Sequence, residues 1–90
     1  MDKGQELTHV QQMLILDYLE IGKNITNNSK KADIYAPLIR RDWETTRQYF
    51  SRLYGEKTSK NLKIILNYFE KGGFSKQVEL VKKDIDRLNK

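Results

Sequence analysis

Hydrophobic residues recur at spacings of three and four along most of this 90-residue chain, which is the pattern of helices that bury one face. A first helix is predicted after Thr8, whose spacing to Gln11 is that of a capping box, and it should run to about Ile21, before Gly22. Apolar residues cover most of its circumference, so we expect it at the centre of the fold. Asp17 falls on its main apolar face and should therefore have a buried partner, such as Arg or Tyr.

The segment that follows permits two interpretations. Residues 23–31 are polar and contain several turn-forming side chains, which predicts a loop. Residues 30–41 favour a short helix in which Pro37 either occupies the first turn or introduces a kink. The alternative is an extended segment through Ile34 and Tyr35, because proline disfavours helical geometry at the residue before it.

A third helix is predicted from Trp43 to Tyr54. Asp42 precedes it as a favourable N-cap, and Gly55 follows it as a favourable residue beyond the C-terminus. Its outward face is polar, whereas its apolar stripe should lie in the core. That stripe consists of Trp43, Phe50 and Leu53.

A fourth helix is predicted to begin at Thr58 and Ser59 and to end at Gly72 and Gly73, with Phe74 folding back on it. Ser75 then caps a fifth helix. The chain should therefore form a small all-α bundle of about five helices in a single domain, residues 1–90.

The fifth helix carries an apolar seam with the spacing of a coiled coil or of a helix docked in a groove. Residues 75–90 are thus a candidate homodimerisation or docking helix. The other interpretation is that the seam packs on its own bundle. The seam consists of Val78, Val81, Ile85 and Leu88.

Positive charge is concentrated in the middle of the chain. Residues 23–63 contain ten Lys or Arg and four Asp or Glu, a net charge of +6, while the whole chain carries +5. Arginine presents a planar fork of donors that matches phosphate oxygens and guanine edges, so this cluster predicts a nucleic-acid partner. Arg40, Arg41, Arg47 and Arg52 are interleaved with Trp43, Tyr49, Phe50 and Tyr54.

The segment from Tyr49 to Leu66 resembles the phage-repressor type of helix-turn-helix domain. It contains an aromatic residue, Ser-Arg and an apolar residue, then a turn with Gly and Lys, then a Ser-capped apolar helix. The resemblance implies a compact all-α domain that binds operator DNA, usually as a dimer, with residues 32–41 and 43–54 as the helix pair. The chain departs from the family where Arg41-Asp42-Trp43 replaces a small residue in the turn.

These observations predict a double-stranded DNA-binding protein, either a sequence-specific regulator or an architectural factor. Residues 43–54 would lie in the major groove as the recognition helix, with polar side chains on base edges and cations on phosphates. The expected base-reading residues are Thr45, Gln48, Ser51 and Arg52. The expected phosphate-binding residues are Arg40, Arg41, Arg47, Lys57 and Lys60.

Several other classes are not expected. The chain has no cysteine, and His9 has no second ligand at metal-binding spacing, so we expect no disulfide, metal site or cofactor. No catalytic motif is present, which argues against an enzyme. The apolar run of residues 13–16 is too short for a membrane span, and residues 1–6 do not resemble a signal peptide, so a cytoplasmic location is expected. The alternative function is a helical module that binds an acidic protein or an apolar groove.

Overall fold

A computed structural model describes residues 7–89. Residues 1–6, the polar start that argues against a signal peptide, lie outside the described part, as does residue 90. Residues 7–89 are all helical or irregular, with no strand among them, so the predicted all-α bundle is confirmed. The elements are α1 (His9–Tyr18), α2 (Asn28–Ile39), α3 (Trp43–Phe50), a 3₁₀ helix (Leu53–Glu56), α4 (Ser59–Gly72) and α5 (Ser75–Leu88).

Helix α1 is the central element, as predicted. The capping box is present, with the Thr8 hydroxyl accepting from the Gln11 N–H and the Gln11 side chain accepting from the Thr8 N–H. The helix contacts α2, α4, α5 and the 3₁₀ helix, while α2 pairs mainly with α3 and α4 with α5. Burial of apolar surface around α1 is therefore the main force that holds the bundle together. The buried core comprises Met13, Leu14, Tyr18, Tyr35, Leu53, Leu62, Ile65, Phe69 and Val81.

The predicted end of α1 was wrong by about three residues. The helix ends at Tyr18, and Glu20 adopts a left-handed conformation with φ of +64°. The Ile21 N–H then bonds to the Leu16 carbonyl at 3.2 Å, which closes a Schellman motif. Gly22 is thus not the terminating residue, because a glutamate occupies the position that usually takes glycine.

Helix α2 begins and ends about two residues earlier than expected, which shortens the predicted loop. It begins at Asn28, where the Asn27 side chain accepts hydrogen bonds from two backbone N–H groups. Pro37 lies in its last turn, not its first, and the alternative of an extended segment was wrong. Complete burial of Tyr35 and Ala32 stabilises the helical form despite the proline.

Helix α3 begins as predicted but ends early. The Asp42 carboxylate accepts from the Thr45 N–H at 2.8 Å, which confirms the N-cap. The helix ends at Phe50 instead of Tyr54, and a 3₁₀ helix that includes Gly55 follows. Leu53 is buried as predicted, but from this 3₁₀ helix. A hydrophobic stripe alone does not distinguish these two ways of burying the same side chain.

Helices α4 and α5 form an antiparallel hairpin. Thr58 caps α4, and Gly73 ends it with φ of +74°, both as predicted. Phe74 folds back with its ring centroid 5.9 Å from that of Phe69. Ser75 was wrongly predicted as the N-cap of α5, because Phe74 occupies that position and no side chain caps the helix there.

The seam of α5 lies mostly inside the bundle. Val81 is fully buried, and Val78 and Ile85 pack against the core. Leu88 is the exception, with 51% of its surface exposed. This arrangement agrees with the interpretation that the seam packs on its own bundle.

Candidate nucleic-acid interface

Helices α2 and α3 form a helix pair joined by three residues, Arg40, Arg41 and Asp42, a connection typical of a helix-turn-helix. The predicted pair of residues 32–41 and 43–54 is thus corrected to 28–39 and 43–50. Arg40 adopts the left-handed conformation, with φ of +58°. The following N–H, of Arg41, bonds to the carbonyl of Ala36 at 3.1 Å and closes the turn.

The two arginines of this turn differ in how they are held. The Arg41 guanidinium donates through Nε to Gln12 Oε1 at 2.9 Å and through Nη2 to the Leu7 carbonyl at 3.2 Å. It therefore joins the turn to α1. The Arg40 side chain is exposed and has no polar partner among residues 7–89. Arg40 is consequently the more available cation for an external anion.

On α3, one carboxylate holds two of the predicted DNA-binding side chains. Glu44 accepts from Arg47 Nη2 at 2.9 Å and from Gln48 Nε2 at 3.2 Å. The Arg47 guanidinium also lies 5.6 Å from the ring centroid of Trp43. Both Arg47 and Gln48 are thus engaged within the helix, and an external ligand would compete with Glu44 for them.

The remaining predicted base-reading residues occupy different places. Thr45 lies in the first turn of α3 and is half-buried. Ser51 and Arg52 were predicted on the recognition helix, but they follow its end. The Ser51 hydroxyl donates to the Gln48 carbonyl at 2.8 Å, and the Arg52 guanidinium lies 5.0 Å from the ring centroid of Tyr49. Both side chains are exposed just beyond the C-terminal end of α3.

The two predicted phosphate-binding lysines lie outside the α2–α3 pair. Lys57 Nζ is 3.7 Å from Asp84 and is placed over the rings of Tyr18 and Tyr54, at 4.9 and 5.5 Å. Its side chain is largely buried in this cluster. Lys60 is exposed in the first turn of α4. The four arginines therefore lie in the turn, within α3 and just after its end, whereas both lysines follow the 3₁₀ helix in the chain.

Two features of this surface were not predicted. Trp43 was expected in the core, but it is exposed and donates through Nε1 to Asp33 Oδ1 at 2.7 Å. Ile34 and Leu38 on α2 are also exposed. The second feature is the role of Glu44, for which the sequence did contain a signal, because residues three and four apart on a helix are neighbours.

Comparison with protein-family models, curated proteins and solved structures finds no match for this chain. Within residues 7–89, no group of three or more acidic or histidine side chains could hold a metal ion. None of the helices in that range is long and apolar enough to cross a membrane.

Proposed function

We propose that this protein binds double-stranded DNA through the α2–α3 pair. The observation that carries the proposal is the three-residue turn, which presents Arg40 and Arg41 directly before α3. In this arrangement α3 enters the major groove, and the turn arginines contact the flanking phosphates. Gln48 and Thr45 are the helix residues that would read base edges, with Arg52 contacting DNA from the end of the helix.

The net charge of this surface determines how tightly we expect it to bind DNA. Residues 40–52 carry four arginines and two acids, Asp42 and Glu44. The surface is therefore positive, but less so than the arginines alone suggest. Tight binding would require Arg47 and Gln48 to leave Glu44. A weakly binding single domain would gain affinity if two copies bound neighbouring half-sites on DNA without forming a stable dimer in solution, which suits a small regulator or an architectural factor.

The decisive experiment uses Arg40→Gly and measures the affinity of a duplex DNA pool at two salt concentrations. Glycine accepts the left-handed conformation without cost, so this substitution removes one cation and preserves the turn. For the wild type we expect the logarithm of the affinity to fall with the logarithm of the salt concentration with a slope of about −3, since each phosphate contacted contributes about −0.9. The slope for the variant should be smaller in magnitude by about 1.

The matched control is Lys82→Gln, which removes the same charge from an exposed position on α5. It should leave both the affinity and the slope unchanged. Salt-independent binding, or an equal effect of the two substitutions, would contradict the proposed interface.

A second candidate function rests on the apolar surface of α2. Ile34 and Leu38 are one helical turn apart on α2, 42% and 58% exposed, and the half-exposed Trp43 bonds to Asp33, the residue before Ile34. Exposed apolar groups gathered in this way are typical of protein-binding sites, and the nearby cations would suit an acidic partner. Leu38→Glu separates the two functions: it should abolish binding to such a partner and weaken DNA binding little.

A further inference from the structure

A cavity of about 180 Å³ lies between the 3₁₀ helix, α4 and α5. Leu62 lies at its inner end but is completely buried, so it offers no exposed surface to a ligand. Two exposed apolar side chains, Tyr54 at 76% and Leu88 at 51%, line it as well. These residues are on none of the elements that form the α2–α3 pair. The cavity is thus a separate site, with walls that can bury apolar groups.

The polar side of the cavity contains one carboxylate and two cations. Asp84 lies 3.7 Å from Lys57 Nζ and 3.1 Å from Arg87 Nη1. It also accepts a hydrogen bond from the Tyr18 hydroxyl. One acid therefore serves two bases, and the cavity retains one uncompensated positive charge.

Of the two bases, Arg87 is the one that can accept a ligand. Its side chain is 66% exposed, compared with 22% for Lys57. The contact with Asp84 uses only Nη1, while a guanidinium has five N–H donors in a planar fork. A second carboxylate can therefore bind Arg87 without displacing Asp84.

We propose that this cavity binds a small monocarboxylate with one aromatic ring or branched aliphatic group. The carboxylate would pair with Arg87, and the apolar part would lie against Leu88 and the ring of Tyr54. The size is appropriate, because an apolar cavity of about 150 Å³ holds one benzene molecule. The excess positive charge favours an anion over a neutral ligand of the same shape.

The test is a titration of the ¹⁵N-labelled full chain with phenylacetate, with phenylacetamide and acetate in parallel, followed by amide chemical shifts. We expect saturable shifts at the residues that line the cavity, with a Kd in the millimolar range or tighter. Phenylacetamide lacks the charge and acetate lacks the ring, so each should bind at least about tenfold more weakly. Equal binding of the acid and the amide would overturn the proposal.

Three variants locate the site. Arg87→Gln should weaken the binding of phenylacetate by at least about fivefold and leave the binding of phenylacetamide unchanged. Leu88→Glu adds a carboxylate at the cavity and should abolish phenylacetate binding. Lys82→Gln removes a cation from the exposed face of the same helix and should bind like the wild type. The proposal would be overturned if the chemical shifts did not saturate. It would also be overturned if Lys82→Gln weakened phenylacetate binding as much as Arg87→Gln does.

Discussion

The imidazole of His9, in the first turn of α1, lies 2.8 Å through Nε2 from the hydroxyl oxygen of Thr46 in α3. The Thr46 hydroxyl donates its own proton to the Asp42 carbonyl at 2.8 Å. Its oxygen must therefore accept from His9, which places the proton of the neutral ring on Nε2. The ring also packs on Tyr49, with centroids 4.8 Å apart. This contact joins the central helix to the proposed DNA-binding helix.

Stability should decrease below neutral pH because of His9. Burial, and then the nearby charge of Arg41, lower the pKa of His9 below its ordinary value of 6.5. As the pH falls through 6.5, the unfolded chain takes up the proton first, so the folded state is destabilised until the folded pKa is passed. His9 is the only histidine in the chain. Urea unfolding of the wild type at pH values from 7.5 to 5 should therefore show a falling free energy.

The control is His9→Gln, which keeps a polar side chain that does not titrate. Its free energy of unfolding should depend less on pH over the same interval. All other titrating groups are shared by the two proteins, so the difference between them isolates His9. An identical pH dependence in both would contradict the lowered pKa.

Neutralising Glu44 should strengthen DNA binding. In Glu44→Gln the ion pair with Arg47 is lost and one negative charge is removed from α3, so Arg47 and Gln48 become available to DNA. We expect affinity for duplex DNA to rise by about threefold to tenfold at low salt. Fluorescence anisotropy with a labelled duplex measures this directly.

The matched control is Glu79→Gln on α5, which makes the same charge change at an exposed position far along the chain. If both substitutions raise the affinity equally, net charge alone explains the effect. In that case α3 is not the contact surface.

Helix starts were more predictable than helix ends. The caps at Thr8, Asp42 and Thr58 are local, because each side chain bonds to a backbone N–H three residues later. The ends of α1 and α3 depend instead on non-local packing. Apolar spacing continues past both true ends, since Ile21 and Leu53 retain helical periodicity after the chain has left the helix.

In the candidate site, too, local features were predictable from the sequence and non-local contacts were not. The arginine cluster and the cap of α3 were visible in the sequence because they are formed by neighbouring residues. The partners that restrict the cations are distant, as Arg41 bonds to Gln12 and Lys57 pairs with Asp84. Such contacts exist only in the folded bundle, so sequence alone could not show which cations are available.

The hydrogen bond from Tyr18 to Asp84 should be a substantial source of stability. Tyr18 is buried, and burial, followed by the hydrogen bond and charge of Asp84, raises the pKa of its hydroxyl. Tyr18→Phe removes one donor from a carboxylate and should lower the free energy of unfolding by about 1 to 3 kcal/mol. Chemical denaturation provides the measurement. Tyr54→Phe, at an exposed ring, is the control and should change stability by less than about 0.5 kcal/mol.

Substitution by alanine should affect stability differently at a buried and at an exposed residue of the α5 seam. Val81 is fully buried in the bundle, so Val81→Ala should lower the free energy of unfolding by about 2 kcal/mol. Leu88→Ala, at a half-exposed position, should cost less than about 0.5 kcal/mol, although it removes more atoms. Both effects should be independent of protein concentration, because the seam belongs to one chain. A midpoint that rises with concentration, together with equal losses from the two substitutions, would instead place the seam in a dimer.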